Sequence, residues 1–217
     1  MDWFTADLHL GHGNILKYCR RDSFLTEAEI RAIEDGNQKL RVSKESLDRH
    51  DAALIDEINK VVERQDTLRI VGDFCFGRKH DKPAVARKIA FHYAQRINCR
   101  HVHLVLGNHD KKLRGQPLGD TFERVYEKIT IKIEDQKIAL DHEAHAIWDC
   151  RNHGAWHLYG HSHGGAEEWL DSIMPGRFSM DVGVDWAYRL FGAYRPISFP
   201  EIKTIMDRRS GFGVHAA

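Results

Sequence analysis

Apolar positions come in short runs along this chain, and their spacing changes from one stretch to the next. Residues 1–6 (MDWFTA) read as a short buried strand that ends in a polar loop, and residues 13–20 as a short helix. From Thr26 to about Val62 the period is helical. Leu47, Leu54, Ile55, Ile58, Val61 and Val62 recur at steps of three and four, and Ser43 stands where an N-cap is needed. Residues 67–71 (TLRIV) read as a strand. Pro83 opens a helix that runs to about Ile97, because the first helical turn has no use for the missing amide proton. Residues 101–106 (HVHLVL) form a further strand. ITIKI at 129–133 alternates with period two, and Glu134-Asp135-Gln136 turns it into KIALDH, which predicts a β-hairpin. Residues 156–159 (WHLY) and 178–184 (FSMDVGV) read as strands, 201–207 as a short terminal helix, and Ser210–Ala217 as a frayed end. Helices and strands alternate early and strands dominate later, which predicts a layered α/β or α+β sandwich in one domain, residues 1–217. The stretch from about 26 to 44 is charged and poor in apolar residues. It is expected to be an exposed helical arm, either a partial lid on a site near the first loop or a solvated or oligomer-contacting surface.

Composition narrows the class. With 217 residues, 42% hydrophobic and 29% charged, the chain can bury a core without disulfides and is neither disordered nor a membrane bundle. Lys+Arg and Asp+Glu are both 32, so a protein held to nucleic acid by bulk positive charge is not favoured. Cys19, Cys75, Cys99 and Cys150 stand alone with no CxxC pair and read as reduced core thiols. No apolar run reaches the length of a signal segment or a membrane span, so a cytoplasmic location without membrane partners is expected.

Histidine changes the picture, with 15 in the chain. Metal-ligating types follow apolar runs in five ordered blocks: Asp7-Leu8-His9, Gly72-Asp73, Gly107-Asn108-His109-Asp110, His142, and Gly160-His161-Ser162-His163. Ligands at the ends of neighbouring strands converge in space. Asp7 and His9, like His161 and His163, are two apart, so in extended segments each pair would share a face. Glycines before Asp73, Asn108 and His161 allow turns that aim those side chains. Carboxylate, imidazole and amide donors together suit Mn, Fe, Zn or Mg, and there are enough for two ions sharing one carboxylate.

In these blocks, DLH, GD, GNHD, DHE and GHSH, the sequence resembles the calcineurin-like metallophosphoesterase family. The blocks span residues 7–163, about three quarters of the chain. The openings FTADLHLGHGNILKYCRR and HGAWHLYGHSHG resemble a small bacterial and phage branch. The resemblance implies a four-layer αββα sandwich around two divalent metal ions, manganese first among Mn, Fe, Zn, Ni and Mg. Asp7, His9 and His163 would hold one ion, Asn108, His142 and His161 the other, and Asp73 both. His109 would face substrate, oriented by Asp110. The chain departs from related sequences after the lone histidine, where Glu143-Ala144 stands in place of a large residue and proline.

The implied reaction is hydrolysis of a phosphomonoester or phosphodiester. A hydroxide between the ions would attack phosphorus in line, and His109 would neutralise charge and protonate the leaving alkoxide. The expected partner is a small phosphorylated molecule, a nucleotide among the candidates. A nuclease or nucleic-acid repair phosphatase is the alternative, and a non-catalytic interaction protein the third reading. His12 and His153 are candidate substrate contacts. Asn14 is expected to cap the following helix, and Arg20 and Arg21 to form a solvated helix end. His101 and His103 are expected to be structural, His145 and His157 to be structural or to support the ligands from behind, and Trp148, Trp156, Trp169 and Trp186 to be packing residues.

Overall fold

Parallel strands need crossovers, and the first half of the chain supplies helices for them. In the computed structural model, which describes residues 1–77 and 80–209, β1 (Asp2–Thr5) runs through α1 (Gly13–Tyr18), α2 (Glu27–Glu34) and α3 (Lys44–Val61) to β2 (Thr67–Val71). From β2 the chain passes through α4 (Pro83–Ala94) to β3 (His101–Val105) and then β4 (Arg124–Tyr126). These four strands pair in parallel. The short β9 (Ile197–Ser198) adds an antiparallel edge, for the order β4-β3-β2-β1-β9. A second sheet holds the hairpin β5 (Ile129–Ile133) and β6 (Gln136–Leu140), followed by β7 (Trp156–Tyr159) and β8 (Ser179–Asp181), in that order. Helices α5 (Glu167–Ile173), α6 (Val184–Phe191) and α7 (Phe199–Asp207) complete the chain.

The period-two alternation of the first sheet divides its side chains between two cores. Leu68, Ile70, Val102 and Leu104 face the helices and meet Leu54, Ile55 and Ile58 of α3 and Ala86, Ala90 and Ala94 of α4. The alanine row lets α4 lie close to the sheet. Phe4, Val71 and Val105 face the other way and pack on Ile138, Leu140, Trp156, Leu158 and Met180 of the second sheet. The result is a two-sheet α+β sandwich. Each fully buried Leu or Ile contributes about 1.5–3 kcal/mol of transfer free energy.

The outer face of the second sheet is covered differently. Ser179, Asp181 and His157 point there, beside Tyr159, and α5 closes over them through a buried ion pair rather than an apolar stripe. Arg177 donates to Glu167 Oε2 at 2.8 Å, to the Tyr159 hydroxyl at 2.6 Å and to Ser179 Oγ at 3.0 Å. This fourth layer is thin, a short helix and the loop 141–155. Breaking its ion pair from one side would cost about 3–5 kcal/mol.

Several elements differ from the sequence reading. The strand expected at 178–184 ends at Asp181, because Val184 opens α6, and α4 stops at Ala94 rather than Ile97. Strands β4 and β9 and helices α5 and α6 were not visible as periodic runs. The frayed end expected at Ser210–Ala217 lies outside the described residues. Cys75 and Cys99 are buried thiols, whereas Cys19 and Cys150 are half-exposed. No helix among the described residues is long and apolar enough to cross a membrane.

The arm at 26–44 is docked, not free. Thr26 and Glu29 form a reciprocal capping box at α2, and the Glu29 carboxylate also accepts from the Ser43 amide and the Ser46 hydroxyl, both at 2.6 Å. Ile30, Ile33 and Val42 pack against the helix-side core. Burial pushes the Glu29 carboxyl up, but these hydrogen bonds outweigh it and hold the group at about 2. No residue of the arm lines the principal cleft, and the arm touches α1 through Lys17 and the Leu40 carbonyl and α3 through Ser46 and Glu29.

Candidate metal centre

Strands β1, β2, β3, β6 and β7 each end in one of the five polar blocks. Within each sheet they pair in parallel, so their carboxyl ends share an edge. The chain there is not extended. Asp7, His9, Asp73, His161 and His163 have φ values of 57°, 48°, 54°, 67° and 51°, a left-handed conformation that non-glycine residues adopt only under constraint. The expectation that Asp7/His9 and His161/His163 share a face through extended backbone is therefore corrected. Repeated left-handed turns bring them together. The glycines serve close approach as much as turning. Only Gly72 of the three has a positive φ, and a Cβ there would overlap the His142 ring. A Cβ on Gly107 would overlap the Asp73 carboxylate, and one on Gly160 would sit 2.7 Å from Asp7 Oδ2.

Asp73 is central. Its Oδ2 lies 3.3 Å from His142 Nε2, 3.5 Å from His9 Nε2 and 4.0 Å from His109 Nε2. Two groups capable of holding a metal ion flank this carboxylate: Asp7, His9 and His163 on one side, and Asp73 itself with His142 and His161 on the other. Asn108 Oδ1 lies 3.1 Å from His142 Nε2 and 2.9 Å from His161 Nδ1, which puts the amide oxygen in the second group. His142 Nδ1 donates to the Val71 carbonyl at 2.9 Å, so its Nε2 lone pair faces Asp73. His163 Nδ1 donates to Asp185 Oδ2 at 2.7 Å and frees Nε2 in the same way.

A cation fits this donor set. His9 Nε2 is buried with no hydrogen-bond partner and faces the carboxylates of Asp7 and Asp73. An unsatisfied buried polar atom costs about 1–3 kcal/mol, a cost that ligation removes. Burial pushes the Asp7 carboxyl up to about 7, partly offset by His163. Burial also lowers His9 far below the ordinary histidine range, helped by the nearby cation Arg21. A divalent ion would reverse the penalty on both carboxylates and favour the neutral imidazole.

Arg21 carries the supporting structure. It is fully buried, not a solvated helix end. It pairs with Asp185 through Nε at 2.9 Å and NH2 at 2.7 Å, and also donates to the backbone carbonyl of Asp7 at 2.8 Å. Its NH1 meets His50 Nε2 at 2.7 Å. His50 is held by Asp51, which also accepts from the Tyr93 hydroxyl and the Gly11 amide. Asp185 is held down to about 2: burial opposes this, but Arg21 and His163 outweigh it. Asp181 fixes the GHSH loop, accepting from Ser162 Oγ and the Gly164 amide at 2.8 Å each. The sequence reading missed Asp181 and Asp185. Carboxylates inside and just after the apolar run FSMDVGV were the available signal.

The remaining candidates divide. His109 faces the cleft near His9 and His12. Asp110 is buried next to it in the same loop. Its carboxylate accepts from the amides of Asp73, Gly107 and Phe74, stapling the two loops together. His12 stacks on Phe76 with centroids 4.0 Å apart, and its Nδ1 lies 3.4 Å from His9 Nδ1. His153 is in the 3-10 turn before β7, at the opposite end of that strand from His161, and is not part of the cleft. Asn14 lies inside α1, not at its cap, and lines the cleft. Arg20 is exposed, paired with Asp22, and also lines it. His101 and His103 share Glu123, and His157 is buried between the carbonyls of Ala139 and Glu143, as structural histidines. Trp156 is core and Trp148 packs on His157, but Trp169 is exposed.

No family model matches the chain. It is similar to an uncharacterized protein of Methanocaldococcus jannaschii, 24% identical over 206 residues that cover 95% of this chain and 91% of the relative. It is also similar to the Gene 66 protein of Mycobacterium phage L5, 26% identical over 189 residues, 74% of this chain and 76% of that one. The Pseudomonas putida nuclease MPE aligns over 75% of this chain and 60% of its own at TM-score 0.35 and 20% identity, too loosely for a shared overall fold. A crystal structure of a protein of unknown function from Aquifex aeolicus superposes at TM-score 0.61 and 20% identity, covering 94% of this chain and 98% of its own, so the two share a fold along nearly their whole length.

Proposed function

We propose that this chain is a metal-dependent phosphoric ester hydrolase of the calcineurin-like type, working with two divalent ions. Asp7, His9 and His163 would hold the first, Asn108, His142 and His161 the second, and Asp73 both. The observation that carries this reading is the buried, partnerless His9 Nε2 between two carboxylates, with a second His/Asp group across Asp73. When bound, two such ions supply Lewis acidity, acidifying water to a pKa of about 7 and neutralising phosphoryl charge.

The chain's own residues do the rest. Asp73 is kept ionised: burial pushes its carboxyl up, but the His142 hydrogen bond and charge and the His109 amide outweigh that and hold it low. The His109 backbone amide donates to Asp73 Oδ1 at 2.8 Å, which ties the position of its ring to the shared carboxylate. In this role His109 donates a hydrogen bond to the phosphoryl group and then a proton to the leaving alkoxide as the P–O bond breaks and water adds to phosphorus. His12, stacked on Phe76, would meet a phosphoryl oxygen.

The test is hydrolysis of p-nitrophenyl phosphate and bis-p-nitrophenyl phosphate by protein stripped with chelator and reloaded singly with Mn, Fe, Zn, Ni or Mg. Turnover should appear only on reloading. No turnover with any ion, or full turnover in chelator, would overturn the reading.

A further inference from the structure

The cleft holds about 890 Å³, far more than a phosphoryl group needs, and it extends from Asp73 past His163 to a second wall. That wall is made by Tyr18 and Arg20 at the end of α1, and by Tyr188 and Arg189 of α6 with Tyr194 beneath them. Two of these rings are open to solvent, Tyr18 at 68% and Tyr188 at 43%. Tyr188 is nonetheless rigid. It stacks on the buried Tyr194 with centroids 4.3 Å apart and planes 16° from parallel, and Tyr194 packs on Phe24 beside Arg21. Arg189 is fixed at the rim by donating to the Gly164 carbonyl at 3.1 Å.

We propose that this wall is a nucleoside subsite, which takes the unpaired base attached to the phosphate reacting at the Asp73 end. The position of that phosphate rests on the phosphoesterase reading. The chemistry of the wall is independent of it. A rigid exposed phenol ring offers a π-face that stacks on any base. Arg189, which gives one guanidinium nitrogen to the Gly164 carbonyl, offers planar donors suited to a neighbouring phosphate, whereas Arg20 turns its fork to Asp22. A small phosphomonoester would leave this wall empty, and a duplex would not present a free base face to it. A free nucleotide and a single-stranded end share this chemistry.

The experiment compares two esters with the same leaving group, thymidine 5′-(p-nitrophenyl phosphate) and methyl p-nitrophenyl phosphate. The wild-type ratio of kcat/KM should favour the nucleoside ester. Replacing both tyrosines, Tyr18→Leu with Tyr188→Leu, should lower that ratio about tenfold, whereas Tyr18→Phe with Tyr188→Phe should keep it, because stacking needs the ring and not the hydroxyl. A second arm measures binding of a labelled oligothymidylate by fluorescence anisotropy in chelator, where no turnover enters. The leucine pair should weaken it by a similar factor and the phenylalanine pair should not. Equal competition by thymidine monophosphate would identify a free nucleotide as the natural source, and competition by the oligonucleotide alone would identify a strand. A wild-type ratio near one, or leucine and phenylalanine pairs that behave alike, would overturn the subsite. If neither ester is cleaved, the phosphoesterase reading falls, and the chelated binding arm still decides the subsite.

Discussion

The two sides of Asp73 are built from similar ligands but supported in different ways. On one side Asp7 and His9 are buried and His163 is held by a charged relay, Asp185 to Arg21 to His50 to Asp51. On the other side His142 is oriented by a backbone carbonyl, and His161 and Asn108 lie nearer to solvent. Fixed neighbours orient a ligand and raise its basicity, and the first group has more of them. Burial also removes competing water. An ion between Asp7, His9 and His163 should therefore bind more tightly and exchange more slowly than one between Asn108, His142 and His161. The difference teaches that ligand identity alone does not rank two sites. What stands behind each ligand does.

The largest effect should come from removing the shared group. Asp73→Ala should empty both sides, and the rate on bis-p-nitrophenyl phosphate should fall by roughly 10⁴-fold, since several kcal/mol of charge stabilisation go with the ions. Retention of both ions at wild-type affinity would deny Asp73 its central role. Next is His109→Ala. Metal content should be unchanged and the rate lower by about 10²–10⁴-fold on esters with poor leaving groups. The loss should be smaller with nitrophenolate, which hardly needs a proton, and equal losses for both would remove the proton-donor role.

Arg21→Lys and Asp185→Asn probe the asymmetry itself. Each should weaken the tighter site by about 10–100-fold, because His163 loses either the Asp185 carboxylate or the arginine fork that fixes it, and leave the weaker site alone. Calorimetry that shows both sites weakened alike would contradict the comparison. The smallest effect belongs to the arm, which does not line the cleft. Glu29→Gln should cost about 1–2 kcal/mol of stability through the lost capping contacts. The Glu29 carboxyl is held at about 2 against an ordinary 4.5, so its contribution is complete above about pH 4.5 and is lost as pH falls towards 2. Denaturation midpoints of wild type and variant should converge across that window. A gap that stays constant down to pH 2 would assign the effect to packing.

The five polar blocks were legible because each joins a strand end, a glycine and a ligand type within a few residues. Their backbone was not, since nothing in the spacing of Asp7 and His9 signals two left-handed turns. Arg21 was illegible for a different reason. Its partner Asp185 is 164 residues away, and a paired arginine after a short helix looks like surface. The exposed helical arm was legible from its charge, but its docking was not read, although Thr26 and Glu29 carry a capping-box spacing. Low apolar content outweighed a polar signal that in fact docks the segment. A fourth layer was implied by the resemblance, but helix α5 itself went unread, because Arg177 and Glu167 do there what an apolar stripe would otherwise do.

The central proposal is two unequal ion sites joined by Asp73. Isothermal titration of chelator-stripped wild-type protein with Mn²⁺ tests this most directly. It should resolve two ions per chain with distinct affinities, the tighter one alone sensitive to Asp185→Asn. A single ion, no saturable binding, or two equivalent ions indifferent to Asp185 would contradict it.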